Sequence, residues 1–259
     1  MSETAQFTHA LVREVSRSLA QCELTHLQRQ TFNLARARRQ HAAYVEAIAS
    51  AEVEVRILPE APDLPDSSFV EDPVLIFDEL AIACRPGALS RRPEVKLMTR
   101  EVASLRSVQA ITAPGTLEGG DVLRIGRKLF VGLSSRTNRE GIDQLTRIVA
   151  PFGYEVTAVG VKKCLHLKSA VTSPADGVVL ANPDWVDVSV FADLEVMATP
   201  AEEPWAANTL RVNERVLVAA SFPRSADLLA ARGLDVQQLD MSELQKAEAG
   251  LTCECVLYR

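Results

Sequence analysis

No apolar run in this sequence approaches the roughly 20 residues that a membrane-spanning helix needs; the longest, at residues 74–77 and 216–220, stop far short. No membrane partner is expected. Basic residues are outnumbered, 28 Lys and Arg against 34 Asp and Glu, for a formal net charge of −6. That speaks against nucleic acid and anionic surfaces, which are bound through clustered cations. A small cationic ligand would suit the chain. Cysteine is scarce and odd in number: Cys22, Cys84, Cys164, Cys253 and Cys255 read as free thiols in a reducing compartment, not as a disulfide framework. The opening Met-Ser-Glu-Thr-Ala-Gln has neither the basic start nor the apolar stretch of a signal peptide, and the expected location is the cytoplasm. Gly/Ser-rich linkers, low-complexity tracts and charge blocks are also missing. Residues 1–259, 47% hydrophobic, therefore read as one closed domain with a sizeable core.

What the chain does have is a repeat. Four segments carry a strand, a short polar turn and a second strand: Pro73-Val-Leu-Ile-Phe-Asp-Glu-Leu-Ala-Ile-Ala-Cys84, Asp121-Val-Leu-Arg-Ile-Gly-Arg-Lys-Leu-Phe-Val-Gly132, Ser169-Ala-Val-Thr-Ser-Pro-Ala-Asp-Gly-Val-Val-Leu180 and Thr209-Leu-Arg-Val-Asn-Glu-Arg-Val-Leu-Val-Ala219. Leu75, Leu123, Val171 and Leu210 hold equivalent places, 48, 48 and 39 residues apart, as in a repeated supersecondary unit. Helix-like stretches follow three hairpins, at residues 93–105, 139–152 and 225–232, and third strands then come at 109–112, 154–161 and 236–239. The third copy is abbreviated, with a short segment from Pro183 and a strand at 194–198. A fifth copy requires joining the C-terminal strand, residues 251–258, to residues 7–12 and a helix over 27–49, so that the termini close a ring. The competing reading is an open mixed α/β sheet.

Residues suited to chemistry gather just before the first strand of each hairpin: Glu71 and Asp72, Glu118 to Asp121, His166 and Lys168, Asn208, and Cys253. Around a ring, those starts converge on the axis. Taken singly, Cys253 reads as a small buried hydrophobe, and His166, between Leu165 and Leu167, as a core histidine. Their common register is what points to a catalytic constellation.

The segments Asp66-Ser-Ser-Phe-Val-Glu-Asp-Pro-Val, Pro114-Gly-Thr-Leu-Glu-Gly-Gly-Asp-Val-Leu, Ser135-Arg-Thr-Asn, Leu165-His-Leu-Lys-Ser and Ala249-Gly-Leu-Thr-Cys resemble those of the dimethylarginine dimethylaminohydrolases, from end to end of the chain. The resemblance implies a five-bladed α/β propeller of strand-strand-helix-strand modules, the pentein fold. It also implies hydrolysis of a methylated arginine to citrulline without cofactor or metal. The implied catalytic residues are Cys253 as nucleophile, His166 as acid and base, and Glu118 as its acidic partner. For substrate binding it implies Glu71 and Asp72 on the guanidinium, Arg91 and Arg136 on the α-carboxylate, and Asp66 with the backbone of Leu24 and Ala247 on the α-ammonium, Leu24 lying on a lid-like loop.

The chemistry of these residue types agrees. A polarisable thiolate suits attack on a resonance-stabilised carbon, and a free cysteine, with a pKa near 8.5, needs a cation beside it to ionise. Imidazole suits a group that first gives and then takes a proton. Cys255, two residues on and on the same face of a strand, is the alternative nucleophile, and Arg92 the alternative to Arg91. His9, His26 and His41 read as structural or exposed. Glu248 stands where the family commonly has Asp. A sister hydrolase acting on arginine or another guanidine, and a non-catalytic binding propeller, are the rival functions. The oligomeric state, a homodimer included, is left open.

Overall fold

The computed structural model describes residues 6–259; the N-terminal stretch read as lacking a signal sequence lies almost wholly outside them. Among the described residues fifteen strands form five separate three-stranded sheets with one connectivity. In the first module β3 (Val74–Ile76) pairs antiparallel with β4 (Ala81–Ala83), which pairs parallel with β5 (Val108–Ala110). The second repeats this with β6 (Val122–Ile125), β7 (Lys128–Leu133) and β8 (Glu155–Gly160). The third uses β9 (Val171–Ala175), β10 (Val178–Ala181) and β11 (Glu195–Ala198), and the fourth β12 (Leu210–Val212), β13 (Arg215–Ala219) and β14 (Asp235–Leu239).

The fifth module is made from both ends of the chain. β15 (Val256–Tyr258) lies antiparallel to β1 (His9–Arg13), with Leu11 opposite Val256, and β1 lies parallel to β2 (Glu54–Leu58). A parallel pair needs a crossover. Helix α1 (Leu34–Ala49) supplies it here, α2 (Arg92–Val102) in the first module, α3 (Arg139–Val149) in the second and, after the four-residue α4 (Leu167–Ala170), α5 (Pro223–Ala230) in the fourth. The third module has only a 3-10 turn, Val188–Phe191, capped by the Asp187 carboxylate on the Ser189 amide.

Packing closes the ring. Each of five apolar clusters joins neighbouring modules: Leu75 and Ile82 with Leu129 and Leu145, Leu123 and Phe130 with Leu167 and Val179, Leu180 and Met197 with Val216 and Leu229, Leu210 and Leu217 with Ala10 and Tyr44, and Leu11 and Leu58 with Val74 and Met98. A hairpin alone cannot bury both faces of its sheet, so each module is completed by the next. The five first strands line an axial cavity of about 590 Å³. The fold is thus an α/β propeller of five modules, and the open sheet is excluded. No helix among the described residues is long and apolar enough to cross a membrane.

Two sequence expectations need correction. The first helix starts at Leu34, not near Leu27, because the Asn33 side chain accepts from the Arg36 amide as an N-cap. The last strand is only Val256–Tyr258, because residues 251–254 form turns.

Candidate active site

The residues just before the first strands meet, as their common register requires. Asp72, two residues ahead of β3, is buried; its Oδ1 accepts the Gly120 amide at 2.9 Å and lies 3.9 Å from His166 Nδ1. A side chain at position 120 could not fit: its Cβ would stand 2.6 Å from His166 Nδ1 and 2.8 Å from Asp72 Oδ1. Glu118, ahead of β6, is fully buried, and its Oε2 is 2.6 Å from His166 Nε2. Its other oxygen accepts the Gly87 amide and lies 3.5 Å from Arg136 Nη1. The amide after His166 donates to Asp121 Oδ1 at 2.9 Å, which fixes the backbone that carries the imidazole.

Both imidazole nitrogens therefore face carboxylates. Burial alone would lower the histidine pKa. The charge of Asp72, the Glu118 hydrogen bond and the charge of Asp121 outweigh it and raise the pKa to about 9. Asp72 responds in the opposite sense: burial raises it, but His166 and Arg91 pull it down to about 2.

Cys253 sits in the turn before β15, half-buried, with its Sγ accepting the Gly250 amide at 3.4 Å and its carbonyl the Glu71 amide at 3.3 Å. Burial and the charges of Asp72 and Glu71 push this thiol up from its ordinary value. Behind it Asn208 donates to Lys168 O and Thr252 Oγ1 at 2.9 and 3.1 Å, and Thr252 Oγ1 donates to Glu71 at 2.9 Å. Cys255 is buried, and burial pushes its pKa to about 12. The two thiols do not share a strand face, since the strand begins only after both.

The charged residues expected to bind substrate are already partnered. Glu71 pairs with Lys168, and burial raises its pKa to about 7. Arg91 is engaged with protein groups. Its buried guanidinium pairs with Asp72 and with Glu94 at 2.7 Å, and reaches the carbonyls of Asp66 and Phe69 at 3.3 and 3.2 Å. Planar donors satisfy buried carboxylates in this way, and Nη1, which donates to Asp72, keeps a second hydrogen for a ligand. Arg92 turns to Pro86 O. Arg136 keeps capacity: Nη2 donates to Thr25 Oγ1 at 2.8 Å on the loop that carries Leu24. Asp66 is buried and accepts the Glu23 amide at 3.0 Å, while Ala247 belongs to the buried apolar cluster against which partly buried Leu24 packs.

Asp72, Glu118 and His166 each bring a ligand atom within 4.8 Å of the others, the one such donor cluster among the described residues. The imidazole–carboxylate contacts and the Arg91 pair satisfy it without an ion. Sequence reading misses Glu94, whose signal is its place three residues beyond Arg91 on a helix. It also misses Asp121 as the group that holds the His166 segment.

Comparison with known proteins gives the same address. The profile of the family described as N,N dimethylarginine dimethylhydrolase, eukaryotic, matches residues 20–187. The chain is 43% identical to the N(G),N(G)-dimethylarginine dimethylaminohydrolase of Streptomyces coelicolor, over 96% of either chain. It superposes with a TM-score of 0.94, at 36% identity, on a cysteine-to-serine mutant of the Pseudomonas aeruginosa enzyme complexed with citrulline, covering 98% of this chain and 100% of that one. A histidine-to-glycine form of a dimethylarginine dimethylaminohydrolase, solved as an adduct with S-methyl-L-thiocitrulline, matches with a TM-score of 0.93, at 36% identity and the same coverage.

Proposed function

Since the chain belongs to the dimethylarginine dimethylaminohydrolase family, we propose that it hydrolyses Nω-methylated arginines to citrulline and methylamine or dimethylamine, through a thiouronium on Cys253. The observation that carries this reading is the imidazole of His166, held between Asp72 and Glu118, with the Glu71 amide next to Asp72 hydrogen-bonded to the turn that presents the thiol. The whole chain, one catalytic domain, assembles the site.

A pKa near 9 leaves His166 protonated at neutral pH. It is then ready as an acid, and it does not take the thiol proton first. The thiol is kept neutral by burial and by the Asp72 and Glu71 charges. A substrate guanidinium placed against those carboxylates cancels their field, and the thiol loses its proton to solvent on binding. Sγ then bonds to the guanidinium carbon. As the tetrahedral adduct collapses, the C–N bond breaks and His166 gives its proton to the departing amine. Neutral His166 next takes a proton from water, whose oxygen attacks the thiouronium carbon. The C–S bond breaks, citrulline leaves, and the cysteine is restored.

Glu118 orients and charges the imidazole. Arg136 takes the α-carboxylate; Asp66 and the backbone at Leu24 and Ala247 take the α-ammonium. Arg91 fixes Asp72 and, through its remaining Nη1 hydrogen, joins Arg136 on the α-carboxylate. The reading places the enzyme in the cytoplasm, where a free thiol stays reduced.

Purified protein incubated separately with asymmetric dimethylarginine, monomethylarginine and arginine tests the activity. Citrulline with an equal amount of dimethylamine or methylamine is expected from the first two. Citrulline and ammonia from arginine alone would make it a deiminase instead.

A further inference from the structure

Residues 23–27 form a strap across the substrate side of the site, and its fastening is unusual. One carboxylate oxygen, Glu248 Oε1, accepts three consecutive amides: Thr25 at 3.0 Å, His26 at 2.6 Å and Leu27 at 2.6 Å. The other oxygen is buried without a hydrogen-bond partner among the described residues, so every hydrogen bond of this carboxylate goes to the strap. Glu248 also adopts a left-handed backbone at φ 58°, directly after the 3-10 turn Leu244–Ala247. A non-glycine residue held there is strained, which the three bonds to the strap offset.

The strap is tied at its other end as well. Asp66 accepts the Glu23 amide at 3.0 and 3.2 Å, and Ser90 donates to the Glu23 carboxylate at 2.6 Å. Leu24 is thus bracketed, with the amide before it held by Asp66 and the amide after it by Glu248. The next tie leads inward: Thr25 Oγ1 accepts from Arg136, whose Nη1 is 3.5 Å from Glu118. One chain of contacts joins Glu248 through the strap to the partner of His166.

We propose that Glu248 is a positioning residue for the amino-acid end of the substrate: it latches residues 25–27 so that the Leu24 backbone faces the α-ammonium beside Ala247. It touches no reacting atom. The proposal rests on the proposed function, a site for a guanidino amino acid. Aspartate, one methylene shorter, would draw the strap inward, so the glutamate also sets how far the strap stands from the Ala247 backbone.

The test compares Glu248→Ala and Glu248→Gln with the wild type in three readouts. The first is steady-state turnover of asymmetric dimethylarginine and of its analogue lacking the α-amino group. The second is alkylation of Cys253 by a haloacetamidine, which carries an amidinium and no amino-acid end. The third is amide hydrogen exchange over residues 23–27. For Glu248→Ala the KM for dimethylarginine should rise about 10- to 100-fold with a smaller change in kcat. The preference over the deaminated analogue should shrink, exchange at 25–27 should accelerate about tenfold or more, and alkylation should keep its wild-type rate. Glu248→Gln keeps an accepting oxygen and should retain most of the wild-type KM. An unchanged KM and unchanged exchange in Glu248→Ala would overturn the proposal. So would equal losses on both substrates with slowed alkylation, which would make Glu248 a support of the nucleophile turn. A wild type that releases no citrulline would sink the functional reading instead, and the exchange readout would still decide on the latch.

Discussion

His166 is surrounded by Asp72, Glu118 and Asp121, and this decides the order in which it acts. With a pKa raised to about 9, the imidazolium is present below that pH and lost above it. Departure of an amine from the adduct therefore fails on the alkaline side. Glu118→Gln removes one charge and weakens the 2.6 Å bond, while Asp72 and Asp121 remain. The histidine pKa must fall toward its ordinary 6.5, and the alkaline limb of kcat should move down by about one pH unit or more, each unit reflecting about 1.4 kcal/mol of interaction. A pH profile of turnover from 6 to 10 for both proteins checks this. A limb that stays in place would mean that Glu118 does not set the charge of His166.

Arg91 belongs to the scale of elements, because it ties the turn Leu89–Arg91 and helix α2, through Glu94, to Asp72 ahead of β3. Arg91→Ala leaves buried Glu94 without its cation and Asp72 with only the Gly120 amide and His166, at roughly 3–5 kcal/mol, and should lower Tm by roughly 6–20 °C. Thermal unfolding followed by circular dichroism reads this directly. An unchanged Tm would mean that Arg91 does not tie these elements together. Its protein partners show where legibility ends. The hairpins are readable because alternating apolar residues such as Leu75 and Leu123 face neighbouring modules, and the polar turns between them announce themselves. Helix α1 reads as starting too early because residues 27–33 are as polar and helix-tolerant as the first turns of the helix itself. Only the Asn33 cap and the Glu248 contact to the Leu27 amide exclude them, and the latter spans 221 positions. The partners of Arg91 lie as far as 25 residues away, where no local periodicity reports them. The abbreviated third module is legible, since Pro183 and the short span to Glu195 leave no room for a full helix.

At the scale of the whole molecule, the ring brings together what the chain keeps apart. His166 and Glu118 are 48 positions from each other, and Thr252, beside the nucleophile, is 181 from Glu71, to which it donates. The pairing of β1 with β15 makes this closure, because it places the C-terminal turn against the first module. In the proposed reaction such a site divides its work between modules: the fifth would supply sulfur, the third the proton. Replacing His166 should therefore stop the reaction halfway. S-methyl-thiocitrulline loses a thiolate that needs no donated proton, so His166→Gly should still form the bond between Cys253 and the substrate carbon. It should then lack the base that activates water. Acid quench followed by intact-protein mass measurement is the most direct test. Wild type should show little adduct at steady state, and His166→Gly nearly one equivalent, lost when Cys253 is also changed to Ser. A variant that yields neither adduct nor released thiol would contradict the account, since His166 would then be required to make the nucleophile itself.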